Sequence, residues 1–252
     1  MREKLISLSI VKKGDWAAVH QFLQQDHQLA SIDEKLAVNL VNNLDCEVVT
    51  IFDDDYPLAW REMPKPPFVV YLQGDRTLLE KSVVAVVGGK VANEYTKREL
   101  TKFLTELPLT VNVISGFELG VEAYANQKTR NRIVVLGSGV NKASLYEKRS
   151  GYLELSTGDL LLTELPPQAN FSVSAYYRAY HLLFELAQVV CVFELASFDL
   201  RRQYLGYLTE VGKPVFVLPD RISVDTAGGL ALINRGARCL VDSKIVLAEM
   251  EK

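Results

Sequence analysis

The sequence predicts an α/β protein, a doubly wound and mostly parallel sheet preceded by a small helical domain. Three observations carry this. From Val83 onward, short apolar runs alternate with helix-like segments. The runs VVAVV, VNVIS, RIVVL, DLLLT, VVCVF and PVFVL are continuous rather than alternating, which suits strands covered on both faces. Residues 1–50 instead carry apolar residues at helical spacing.

Taken in order, helices are expected over Glu3–Val11, Trp16–Gln25 and Ile32–Leu44, with Asp15 and Ser31 as N-caps. The stretch Asp53–Asp75 has four prolines and an acidic run, so it reads as an extended connector ending in a strand at Phe68–Leu72. The expected boundary therefore lies near residue 50, with a small helical domain over 1–50 and the sheet domain over 51–252. Between the later strands, helices are expected at Glu94–Leu107, Gly120–Thr129, Ser172–Leu186 and Leu200–Val211, and a terminal one at Ser243–Glu251. Strand and helix alternating in this way describe a Rossmann-like domain, whose ligands sit beyond the carboxyl ends of the strands.

Composition narrows the class. With 48% hydrophobic and 23% charged residues, the 252-residue chain is an ordinary globular protein. Cys46, Cys191 and Cys239 are far apart and odd in number, and His20, His27 and His181 are scattered, so neither a disulfide framework nor a metal site is expected. No leader and no membrane-length apolar run is visible, and the expected compartment is the cytoplasm. The net charge of −3 hides an asymmetry: residues 1–80 hold 8 Lys/Arg against 13 Asp/Glu. Lys128, Arg130, Arg132, Lys142, Lys148 and Arg149 face a single acid, Glu147, and read either as a polyanion-attracting patch or as a solvated face.

The candidate site follows from the sheet. Gly88-Gly89-Lys90, Ser115-Gly116 and Gly137-Ser138-Gly139 each close an apolar run, and loops of this kind can hold a phosphate on backbone amides. GGKVAN does not match G-x-G-x-x-G, and no acid follows the next strand, so ordinary dinucleotide binding is not expected. Ser138 lacks the spacing of a nucleophile elbow, and Glu118 with Glu122 reads as a pair of acids favouring a helix dipole. No catalytic constellation or cofactor motif emerges. Tyr176, Tyr177 and Tyr180, beside Arg178, fit either base stacking or packing against a helix.

From about residue 53 onward the order of motifs resembles the DNA processing protein A family (DprA, also called Smf). The resemblance rests on DYPLAWREMPKPPFVVYLQGD, VAVVGGKVANEY, VISGFELGVEAYAN, IVVLGSGVN, LLTELPP, KPVFVLPD and GGLALINRGARCLV in sequence. It implies a Rossmann-like domain behind a helical (SAM-like) domain, and a single-stranded DNA-binding recombination mediator rather than an enzyme. The implied role is to protect incoming DNA and help load RecA in natural transformation, as a homodimer and with no membrane partner.

For such a binder, the loops at the carboxyl edge of the sheet place the expected phosphate contacts at Gly88, Gly89, Lys90, Ser115, Gly116, Gly120, Gly137, Gly139 and Lys142. The chain departs from the family pattern at Ala179, Tyr180 and His181, where the family has R-N-R, and at Asp199 and Leu200, where it has S-G. Lys90 stands for an arginine and Asn126 for a histidine. Two other functions fit these departures: a nucleotide or sugar-phosphate pocket, and a protein-interaction module that has lost DNA binding.

Overall fold

The computed structural model describes residues 1–25, 29–142, 156, 158–219 and 227–252. His27 and the Glu147, Lys148 and Arg149 part of the basic run lie outside the described residues. The strands are β1 Glu47–Thr50, β2 Val69–Gly74, β3 Ser82–Gly88, β4 Val111–Ser115, β5 Ile133–Val135, β6 Leu160–Thr163, β7 Val189–Phe193, β8 Val215–Val217 and β9 Arg238–Cys239. The helices are α1 Arg2–Val11, α2 Trp16–Leu23, α3 Glu34–Asn42, α4 Leu58–Arg61, α5 Glu94–Glu106, α6 Val121–Lys128, α7 Val173–Leu186, α8 Arg201–Glu210, α9 Ala227–Ile233 and α10 Ser243–Met250. The sheet is mixed and mostly parallel, as expected for this α/β class. Among the described residues no helix is long and apolar enough to cross a membrane.

The chain divides into two compact units, the first holding Met1–Gly74, Val135–Leu145 and Leu161–Leu186, the second Asp75–Val134, Tyr146–Leu160 and Ala187–Lys252. In the first unit, β1 and β2 pair antiparallel, with Glu47 opposite Leu72 and Thr50 opposite Val69. Leu5, Ile6 and Leu8 of α1 bury against Val19, Val48, Val69 and Tyr71, so the helical segment and this hairpin share one core. Asp15 caps α2 as expected, accepting the Ala18 amide at 3.0 Å. The α3 cap is Asp33, which accepts the Leu36 amide at 2.8 Å, not Ser31, which closes a short 3-10 turn. Both carry a suitable oxygen, but Asp33 directly precedes the helix and has the extended backbone (φ −60°, ψ 120°) that a cap needs.

In the second unit the strand order is β5-β4-β3-β7-β8-β9, and every pair is parallel. The chain winds outward from β3 to β5, returns, and winds the other way from β7 to β9. The reversal falls between β3 and β7, where Gly88 lies opposite Phe193. In a doubly wound sheet this switch point opens the crevice in which ligands bind. The continuous apolar runs have the expected cause: β3 and β7 are buried throughout apart from Ser82, with helices packed over them. Leu100 and Phe103 of α5 and Val121 and Ala125 of α6 pack on Val84, Val86 and Phe193. Asn93 starts α5 by accepting the Thr96 amide at 2.8 Å, and Pro108 stops it by holding Leu107 extended.

Phe193 is fully buried at the end of β7, with its ring centroid 5.9 Å from that of Phe103. Phe193→Ala is expected to cost about 3–5 kcal/mol, as cavity-forming aromatic truncations do. Urea denaturation checks this, with a lower midpoint and an unchanged slope.

Candidate functional site

The loop after β3 is joined to the protein on two sides. The Gly89 N–H donates to the Phe193 carbonyl at 3.1 Å, and the Gly89 carbonyl accepts the first amide of α6, Val121, at 3.0 Å. Gly120 makes this approach possible. Its φ is +76°, and a Cβ there would lie 2.3 Å from the Lys90 carbonyl carbon and 2.4 Å from the Gly89 oxygen. An L side chain fails on both counts. The glycines therefore bring the loop against the ends of β7 and α6.

Arg201, the first residue of α8, points into this junction with a side chain 1% exposed. Its guanidinium grips Asp199 with two bonds, Nε to Oδ1 at 3.0 Å and Nη2 to Oδ2 at 2.6 Å. Nη2 also donates to the Gly88 carbonyl at 2.6 Å, and Nη1 donates to Glu122 Oε1. Glu122 is fully buried, and its other oxygen accepts the Glu118 amide at 3.3 Å. The acid expected to serve the α6 dipole is thus also one side of a buried ion pair. Arg201 was not singled out from sequence, yet a signal existed: a cation in the first turn of a helix opposes the helix dipole and calls for local anions.

Two further contacts close the loop. Glu194, with φ +50°, accepts the Asn93 amide and its side-chain amide, both at 3.0 Å, so a carboxylate of the protein itself sits at the start of α5. Ser115 is buried and donates to Asn126 Oδ1 at 2.5 Å, while Asn126 Nδ2 donates to the Gly116 carbonyl at 3.0 Å. Lys90 reaches outward, 72% exposed, with Glu118 at 3.4 Å. An ion pair so open to water holds the lysine weakly.

The expected basic track divides. Helix α6 carries the chain from the carboxyl edge of the sheet back to the amino edge, so Lys128 and Arg130 stand at its far end from Lys90. Arg132 is buried, with Asp159 at 3.0 Å on Nη2 and 3.2 Å on Nε. Of the expected site residues, Gly88, Gly89, Lys90, Ser115, Gly116 and Gly120 gather in the second unit. Gly137, Gly139, Lys142, Tyr176, Tyr177 and Tyr180 belong to the first. There Tyr180 is buried between Tyr176, 4.8 Å away, and Phe184 at 5.8 Å, while Tyr176 and Tyr177 are half-buried. Among the departures from the family pattern, Ala179 and Tyr180 are buried, Asp199 serves Arg201, and Leu200 is exposed.

The fold and this crevice define a Rossmann-like α/β protein with a glycine loop at its switch point. Residues 47–251 match the family DNA recombination-mediator protein A, and the chain belongs to it. It is 25% identical over 214 residues to the protein Smf of Synechocystis, covering 81% of this chain and 54% of that relative. It is 26% identical over 209 residues to the DNA processing protein DprA of Streptococcus pneumoniae, covering 80% of this chain and 73% of that one. The chain thus spans about half the length of the Synechocystis relative (54%). The solved S. pneumoniae protein shares its fold with a TM-score of 0.75 at 20% identity, over 99% of this chain and 93% of that one. DNA processing protein A of Helicobacter pylori, solved for its single-stranded DNA binding mode, aligns with a TM-score of 0.69 at 19% identity, over 83% of this chain and 97% of that one.

Arg201→Ala is expected to cost about 3–5 kcal/mol, because it removes the buried cation that answers Glu122 and Asp199. Lys90→Ala, at an exposed position, is expected to change stability by less than about 0.5 kcal/mol. Thermal and urea unfolding of the two variants check both expectations. A pH effect follows from His181, whose pKa is pushed down to about 4 by burial and then by Arg178. Its folded pKa lies below the ordinary value of 6.5, so the unfolded chain binds the extra proton first. Its contribution is therefore complete above about 6.5 and lost as the pH falls toward 4. Glu164, raised by burial, acts in the opposite sense. Unfolding midpoints compared with His181→Gln between about pH 4 and 6.5 isolate the histidine, whose loss flattens the slope.

Proposed function

We propose that this chain binds single-stranded DNA as a recombination mediator, protecting incoming strands and helping to load RecA in natural transformation. In this reading it works as a homodimer and performs no catalysis of its own. The observation that carries it is the family match over residues 47–251, joined to a crevice where Lys90 stands 72% exposed beside the glycine loop. The single-stranded DNA binding of the H. pylori relative is carried over to this chain on that basis. A phosphate would meet the Lys90 ammonium on the solvent side of the glycine loop. Lys142 and the half-buried Tyr176 and Tyr177, which belong to the first unit, are proposed as separate contacts to single-stranded DNA.

One observation favours a second reading, a protein-interaction module that has lost DNA binding. Glu118, Glu122, Glu194 and Asp199 all surround the loop; Lys90 answers Glu118, Arg201 answers Glu122 and Asp199, and Glu194 is met by the Asn93 amides. Such a rim attracts a polyanion weakly.

Fluorescence anisotropy of a labelled single strand at two salt concentrations, with a duplex control, tests the first reading. Salt-sensitive binding is expected. Lys90→Ala should flatten the dependence of log K on log salt by about 0.7 for each phosphate that the lysine neutralises. Absence of binding at low salt, with RecA still co-purifying without DNA, would replace the first reading by the second.

A further inference from the structure

The first unit contains a cavity of about 820 Å³ that the crevice in the second unit does not involve. It lies beyond the carboxyl ends of β5 and β6, between the α1–α2 turn and the start of α7. Its size falls in the range of small-molecule sites. The turn is held against the strand ends by Gly14, whose φ is +73° and whose Cβ would lie 2.9 Å from the Glu164 carbonyl oxygen.

The wall is rich in cations. Lys12, Lys13, Lys65 and Arg178 line it, against Asp15 and Glu164. Asp15 is committed to capping α2. Trp16 forms a rigid side: its indole N–H donates to the Pro66 carbonyl at 2.8 Å, and its ring stacks on His20 and Phe68. Lys65 Nζ lies 5.5 Å, and Arg178 Cζ 5.8 Å, from the centre of that ring. Lys13 and Lys65 are exposed and bring positive charge to the mouth. The N-terminus of the 14-residue α7 also opens here through Ser174 and Ala175, adding its positive dipole end.

Two of the lining side chains, Glu164 and Arg178, each keep one buried polar atom, Oε1 and Nε, without a hydrogen-bond partner among the described residues. The Glu164 side chain is 10% exposed, and its Oε2 accepts from Arg178 Nη2 at 2.5 Å. Its Oε1 is buried and has no hydrogen-bond partner among the described residues. A buried carboxylate oxygen without a donor is costly, and a ligand with an N–H group would relieve it. The cavity thus asks for an anion at its mouth and for a group carrying both an N–H donor and an acceptor at Glu164 and Arg178. Nucleoside phosphates carry both, on one rigid frame.

We infer that this cavity is a second ligand site that takes a nucleoside phosphate, with the base N–H on Glu164 Oε1 and the phosphate at Lys13 and Lys65. The nucleotide is either free or the 5′-phosphorylated end of a strand. This site is independent of Lys90, so the DNA-binding reading can fail while it stands, and the reverse.

The probe is guanosine 5′-monophosphate, followed by calorimetry and by the fluorescence of Trp16. Guanosine, inorganic phosphate and a short strand with or without a 5′-phosphate are the comparison ligands. The nucleotide is expected to bind more tightly than guanosine or phosphate alone. Lys13→Glu and Lys65→Glu, both at exposed positions, should each weaken it about tenfold, while Lys90→Ala leaves it unchanged. Glu164→Gln should weaken the nucleotide and leave inorganic phosphate unaffected. Displacement of the nucleotide by the 5′-phosphorylated strand, and not by the unphosphorylated one, assigns the site to strand ends; its absence assigns it to free nucleotide. Equal affinity for guanosine and its phosphate, no heat at millimolar nucleotide, or loss of binding in Lys90→Ala but not in Lys13→Glu would overturn the assignment.

Discussion

A guanidinium carried into the interior of a protein must be paired, and Arg201 is the cation around which the switch-point crevice is built. It touches the end of β3 through the Gly88 carbonyl, the start of α6 through Glu122, and the loop after β7 through Asp199. Three segments far apart in the sequence are thereby held to one point. Its planar fork matters, because a lysine offers a single point of charge and could not bond both Asp199 oxygens and reach Glu122 and Gly88 as well. The close approach at Gly120 follows from the same junction: with the β3 loop drawn onto α6, no side chain fits between them.

The junction has a consequence for ligand binding. A glycine loop grips phosphate when its amides and the dipole of the following helix face solvent together. Here the Gly89 amide is satisfied by Phe193, and the amide at the head of α5 is satisfied by the Glu194 carboxylate. A phosphate at the start of α5 would have to displace Glu194 and approach other carboxylates. Lys90, on the solvent side of the loop, is free of that constraint, so binding through its side chain is compatible with the junction. An amide cradle at Gly89 is not.

How far the sequence was legible follows from where the determining contacts lie. The strands from β3 to β8 were readable because burial on both faces leaves an unbroken apolar run, and α5 and α6 because a cap, a proline or a glycine marks their ends. Strand β1 and helix α4 were not, since four-residue elements around a proline-rich connector carry no period of their own. Nor were β9, two residues long with both exposed, and α9, which carries two glycines in its first turn. The choice between Ser31 and Asp33 as a cap turned on backbone angles that composition does not encode. The sequence offered Gly88, Gly89, Lys90, Ser115, Gly116 and Gly120 of the crevice as candidates, because each stands just beyond an apolar run or opens the next helix. The electrostatics of the site were not legible, because Glu122 meets a residue 79 positions away and Arg132 one 27 positions away.

Those long-range pairs also show why charge counted along the chain does not define a surface. The cations between residues 128 and 149 look like one patch when read along the chain. In the fold, α6 and β5 run in opposite directions, Arg132 turns inward to Asp159, and Lys142 belongs to the other unit. Positive charge instead collects where the sequence showed an acidic N-terminal part, around Trp16, from residues as distant as Lys13, Lys65 and Arg178. Net charge by segment speaks to solubility and long-range attraction, while a binding surface depends on which side chains the topology brings together. In this chain the two disagree, and the disagreement is what separates the glycine crevice, ringed by acids, from the cavity of the first unit, ringed by cations.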